Sequence, residues 1–105
     1  MENKRFETLK QFVEINPNDC FARYGVAQEY IKQGQHAQAI EQFEKIFEIN
    51  PEYQAAYYHA GKTYEKLGRA EQARTAYEKG IEVATRSGDF HAKSELQAAL
   101  VEMAG

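Results

Sequence analysis

Apolar positions recur along this chain in short stripes of three- and four-residue spacing, and polar turns break them at even intervals. Residues at i, i+3, i+4 and i+7 share one helical face, so the stripes predict amphipathic helices. The clearest stripe is Ala39, Ile40, Phe43, Ile46 and Phe47, and Ala73, Tyr77, Gly80 and Ile81 form its counterpart. Val26, Ala27 and Tyr30 share a face before the first stripe, as Tyr57, Ala60, Gly61 and Tyr64 do before the second. Small residues at Ala27 and Gly61 would let neighbouring helices come close. Phe6, Leu9, Phe12 and Val13 open the chain with a stripe of the same kind. Ala92, Leu96, Ala99, Leu100 and Met103 close it, with Lys93, Glu95, Gln97 and Glu102 expected to face water.

The punctuation sets the ends. Gly34 and Gly68 follow polar turns as C-cap glycines do. Asn16-Pro17 and Asn50-Pro51 end one helix and lead into the next. Ser87-Gly88-Asp89 supplies a glycine stop followed by an Asp N-cap. The predicted helices are 3–15, 18–33, 36–49, 52–67, 70–87 and 89–103, an all-α fold of about six helices.

The stripes also repeat. ETLKQFVEINP ends at Pro17 and EQFEKIFEINP at Pro51, a spacing of 51 − 17 = 34 residues. Tyr24/Tyr58, Ala22/Ala56, Tyr30/Tyr64, Lys32/Lys66, Gly34/Gly68 and Ala39/Ala73 keep the same interval. Branched aliphatics recur at Ile15, Ile49 and Val83. A sustained period of this length marks stacked structural repeats. The reading is a single domain: a half repeat over 3–17, full repeats over 18–51 and 52–87, and a capping helix over 88–105.

This pattern resembles the tetratricopeptide repeat family, a 34-residue helix-turn-helix with small residues at set points and a closing proline. Val26-Ala27-Tyr30-Gly34-Ala39-Phe43-Pro51 carries the resemblance once, and Tyr57-Ala60-Gly61-Tyr64-Gly68-Ala73-Tyr77 carries it again. Arg23 departs from the pattern's large aromatic, Ile46 and Gly80 from its usual Ala. Thr85 departs from its proline, so that helix should run on to Ser87. The resemblance implies a right-handed superhelix of antiparallel helix pairs. It also implies a non-catalytic adaptor that holds a protein or peptide partner in a concave groove lined by each repeat's first helix. In this chain the implied groove residues are Phe21, Tyr24, Gly25, Gln28, Ile31 and Lys32, then Ala55, Tyr58, His59, Lys62, Glu65 and Lys66. Tyr24 and Tyr58 would form an aromatic ridge, with Lys62, Lys66 and His59 drawing an acidic group. The plainer reading makes the tyrosines part of the stack and the lysines a solvated face. Family members that grip a C-terminal carboxylate do so with Lys and Asn, where Tyr24 and Gln28 stand here, which disfavours that ligand. The alternative function is self-association, an end-to-end homodimer that buries the opening half repeat.

Composition narrows the choices further. The 105 residues are 43% hydrophobic with a formal net charge of −3, which suits one small domain and leaves no nucleic-acid footprint. No apolar run is long enough to insert in a membrane, and MENKRFETLK has no secretory apolar region, so a cytoplasmic location is expected. The mean hydropathy of −0.72 fits a thin stack with much polar surface. His36, His59 and His91 lie on separate helices or turns, without metal-ligand spacing, so no metal or cofactor is expected. Cys20 sits at a predicted helix start, where the helix dipole would lower its pKa, but no histidine is placed to act with it. Glu44/Glu48 and Glu78/Glu82 read as solubilising charge beside Lys45 and Lys79, so no enzymatic chemistry is expected.

Overall fold

A computed structural model describes residues 3–105, and six α-helices with no strands occur among them. They are α1 (Lys4–Ile15), α2 (Cys20–Lys32), α3 (His36–Ile49), α4 (Ala55–Lys66), α5 (Ala70–Ser87) and α6 (Phe90–Ala104). The chain divides after Tyr53 into two compact units, α1–α3 and α4–α6.

The starts of α1, α2 and α6 are set by side chains that bond backbone N–H groups. Asn3 Oδ1 accepts from Phe6 N at 3.1 Å and caps α1. Asn16 Oδ1 accepts from Asn18 N at 3.1 Å, and Asn50 Oδ1 accepts from Glu52 N at 3.0 Å. These Asx turns hold Pro17-Asn18 and Pro51-Glu52 outside the helices. As a result α2 starts at Cys20 rather than 18, and α4 at Ala55 rather than 52. Asp19 and Asp89 cap α2 and α6, each accepting at 3.0 Å from the backbone N–H three residues on. The ends of α2 and α4 are built alike. Gly34 and Gly68 take left-handed φ of 76° and 74°, which an L side chain adopts only with strain. The next N–H then reaches back to Tyr30 O and Tyr64 O, at 2.9 Å in each case. With Thr85 in place of proline, α5 continues to Ser87, as the sequence implies.

In the first unit α2 packs against both α1 and α3. Its core is Leu9, Ala22, Val26, Ala27, Ala39, Ile40, Phe43 and Ile46. Phe6 meets Tyr30 edge-on at 5.1 Å. Arg23, where the family pattern has an aromatic, donates to Pro17 O at 2.7 Å and to Gln42 Oε1 at 3.0 Å. It ties the α1–α2 turn to α3. The opening stripe is only partly inward: Leu9 is buried, but Phe12 is 50% exposed. In the second unit α5 packs against α4 and α6 around Tyr57, Ala60, Tyr64, Ala73, Tyr77, Val83, Ala84, Leu96 and Ala99. Gln54 donates to Asp89 at 2.7 Å and accepts from Ser87 Oγ at 2.6 Å, fastening the start of α4 to the α5–α6 turn. Lys93, expected in water, is half-buried, and Met103 is half-buried rather than fully inward. No helix among the described residues is long and apolar enough to cross a membrane.

Candidate functional site

In the first unit Phe21, Tyr24, Gln28 and Ile31 follow one another along α2 at three- and four-residue steps, so they share a face. Phe21 is 72% exposed, while Tyr24, Gln28 and Ile31 are half-buried. The Tyr24 ring lies 6.4 Å from Phe43 and 5.9 Å from Tyr53. Tyr53 therefore extends the aromatic surface. The periodicity gave no sign of it, because it stands in the turn before α4. Burial, first, and then the charges around Cys20, Tyr24 and Asp19 push the Tyr53 phenol up, so it stays protonated as a donor. Lys32 is exposed, and its ammonium lies 3.5 Å from Glu29. Gly25 does not belong to this face. A Cβ there would stand 2.8 Å from Leu9 Cδ1, so Gly25 receives α1. The Cys20 thiol is pushed up by burial and by Asp19, against the expectation of a lowered value. Loss of hydration and the adjacent carboxylate outweigh the lowering pull of Arg23.

In the second unit Tyr58, His59, Lys62, Glu65 and Lys66 lie along α4. Tyr58 is 6.4 Å from Tyr77, the repeat of the Tyr24–Phe43 contact one period on. Each tyrosine thus packs one side on its own unit and keeps part of its surface open. Lys62 Nζ lies 5.5 Å from the Tyr58 ring centroid, at the outer reach of a cation–π contact. The His59 ring meets Tyr58 edge-on at 5.6 Å. Burial lowers the His59 pKa, and the Glu95 carboxylate pulls it partly back. Glu65 accepts a short hydrogen bond from the Tyr77 hydroxyl, so this exposed carboxylate is anchored to a fully buried ring. Burial, then the bond and charge of Glu65, push the Tyr77 phenol far up. Lys66 is exposed. Glu95 and Glu102 on α6 act on His59 and Tyr77, so α6 contributes charge to this neighbourhood. The sequence pattern puts Glu95 and Glu102 on the water-facing side of this capping helix and gives them no role in the site. The arrangement offers aromatic surface, amide and hydroxyl groups, and mixed charge. Those suit recognition of a polypeptide surface.

The sequence matches the tetratricopeptide repeat family over residues 30–100. A crystal structure of a tetratricopeptide repeat domain protein from Salinibacter ruber is similar at 42% identity and a TM-score of 0.78, covering 83% of this chain and 97% of that one. The Sgt2 tetratricopeptide repeat domain from Aspergillus fumigatus is similar at 26% identity and a TM-score of 0.79, covering 93% of this chain and 65% of that one. PcrH, crystallised with the chaperone-binding region of PopD, shares the fold at a TM-score of 0.88 and 13% identity, covering 94% and 75% of the two chains. No curated protein sequence matches significantly. The match over residues 30–100 spans most of the two repeats whose turns, cores and aromatic contacts are described above, and the chain belongs to the tetratricopeptide repeat family.

Proposed function

We propose that this protein is a non-catalytic interaction module that binds a protein or peptide partner through the outward faces of α2 and α4, in the groove expected of the family. The observation that carries this reading is the pair of half-open tyrosines. Tyr24 and Tyr58 occupy repeat-equivalent positions, each braced at 6.4 Å by a buried ring of its own unit. A braced tyrosine offers apolar area and a hydroxyl at little entropic cost, which suits an interface anchor. Phe21, Gln28 and Ile31 extend the surface on α2; His59, Lys62 and Lys66 extend it on α4. Lys32 and Glu65 contribute less, because Glu29 and Tyr77 already engage them. The complex of PcrH with a segment of PopD is an instance of this fold in company with a protein segment. A cytoplasmic location remains part of the proposal.

The test is affinity capture with the full chain, comparing wild type with Tyr24→Ala/Tyr58→Ala. The double variant keeps helical circular dichroism, because both side chains are partly exposed, and loses the captured partner. Unchanged capture by a folded double variant overturns the reading.

A further inference from the structure

The outer face of α1 is both apolar and basic. Phe12 is 50% exposed and Ile15 is 81% exposed. Their counterparts one period on are Ile46, fully buried, and Ile49, half-buried, and Val83 two periods from Ile15 is buried as well. In α3 and α5 the same helical positions are covered; in α1 they are open. Spacings of three, four and seven residues put Arg5 and Thr8 on the face of Phe12 and Ile15, with Lys4 four residues before Thr8. Arg5 and Lys32 both reach the carboxylate of Glu29, at 3.3 and 3.5 Å, and Glu29 itself is buried. Arg5 and Lys32 therefore share one carboxylate, and with Lys4 next to Arg5 in the chain the local surplus is 3 − 1 = 2 positive charges in a chain of net −3. The acidic residues of α1 point elsewhere. Glu7 pairs with Lys10 at 3.3 Å, and Glu14 lines a hollow with Val26 and Tyr30 toward α2.

We infer that this face of α1 docks an acidic amphipathic helix of a partner protein, antiparallel to α1. The partner's apolar stripe covers Phe12 and Ile15, and carboxylates in its last turns meet Lys4 and Arg5. The antiparallel direction also sets opposite helix-dipole ends side by side. A second copy docking through its own α1 is the poorer occupant, since that face offers cations and no carboxylate. One helix on one helix buries less than the roughly 800 Å² per partner of a standard interface, so the complex is transient and salt-sensitive. None of the residues in the proposed tyrosine surface takes part, except that Lys32 adds to the local charge.

The experiment titrates the isotope-labelled full chain with two synthetic helical peptides of about four turns. Both carry the same leucine stripe; one has Glu and the other Lys flanking it in the last two turns. The Glu peptide should bind at least about tenfold tighter, with the gap narrowing as salt is added. Its chemical-shift changes should centre on residues 4–15. Phe12→Ser/Ile15→Ser should weaken it by about tenfold or more while leaving the helical signal intact. Lys4→Glu should erase most of the preference for Glu over Lys. Equal affinities, no binding of either peptide, shifts on α2 and α4 in place of α1, or a chain that dimerises through residues 4–15 would each overturn the proposal. Loss of partner capture in the tyrosine variant is a separate result and leaves this one standing.

Discussion

At Gly61 a methyl group would stand 2.1 Å from Tyr77 Cε1, and at Gly25 it would stand 2.8 Å from Leu9 Cδ1. The two clashes differ in what can move. Tyr77 is fully buried and bonded through its hydroxyl to Glu65, whereas Leu9 presents the far end of a flexible side chain. Gly61→Ala should therefore lower stability by about 1–3 kcal/mol, the usual range for overpacking, and Gly25→Ala by clearly less. Thermal melts of the two variants, followed by circular dichroism, test the order; equal losses would contradict it. Tyr77→Phe is a milder change, because the exposed Glu65 carboxylate returns to water once its donor is gone. A loss of about 1 kcal/mol in urea titration is expected. Gly61 was legible in the sequence as a close-approach residue, but Gly25 was assigned to the wrong face. The reason is that α2 is covered on two sides, by α1 and α3, so Gly25, Val26 and Ala27 are buried in a row. Periodicity distinguishes one covered face from water and does not resolve two.

Among the elements, α1 is held on α2 in part by polar contacts. Asn3 Nδ2 donates to Glu29 Oε2 at 3.1 Å, and Arg5 Nε lies 3.3 Å from Glu29 Oε1. The Asn3 bond, against the cost of burial and with help from Lys32 and Arg5, holds the Glu29 carboxyl below its ordinary 4.5. A carboxyl depressed in the folded state adds stability above its unfolded pKa, and loses it as pH falls through the folded value. Contact between α1 and α2 should accordingly weaken in acid, below about 4.5 and not above it. Hydrogen exchange should show the α1 amides losing protection there before those of α3, corrected for intrinsic rates. Glu29→Gln should lower α1 protection at neutral pH and flatten its dependence on acid; an unchanged profile would remove Glu29 from this role. The existence and order of all six helices were legible, and the ends of α3 and α5 fell where the pattern put them. The starts of α2 and α4 were not, because Asn16 and Asn50 spend their side chains on the turn instead of prolonging helix.

On the scale of the whole molecule, each unit is built by helices packing on their neighbours in sequence: α1 on α2, α2 on α3, α4 on α5, α5 on α6. Contacts of such short sequence separation cost little loop entropy, and helical folds of this kind refold in microseconds to milliseconds. Stopped-flow dilution from urea should find the main amplitude complete within about a few milliseconds. A dominant phase of seconds would contradict the local architecture. The 34-residue period was legible because every repeat must present the same small, aromatic and glycine positions to its neighbour. The full extent of the candidate face in each unit was not. In the first unit Tyr53 joins it from a turn, and in the second Glu95 and Glu102 act on it from a helix with its own amphipathic pattern, so only packing within each unit brings them in. The matched turns at Gly34 and Gly68 have a consequence for how such a gene can change. Each closes with the same left-handed residue and the same 2.9 Å return bond, so residues 35–68 form a cassette with interchangeable ends. A tandem duplication of that stretch would join Gly68 to a second Gln35, a junction the chain already makes at Gly34. The array could then lengthen by one repeat without any new turn having to evolve.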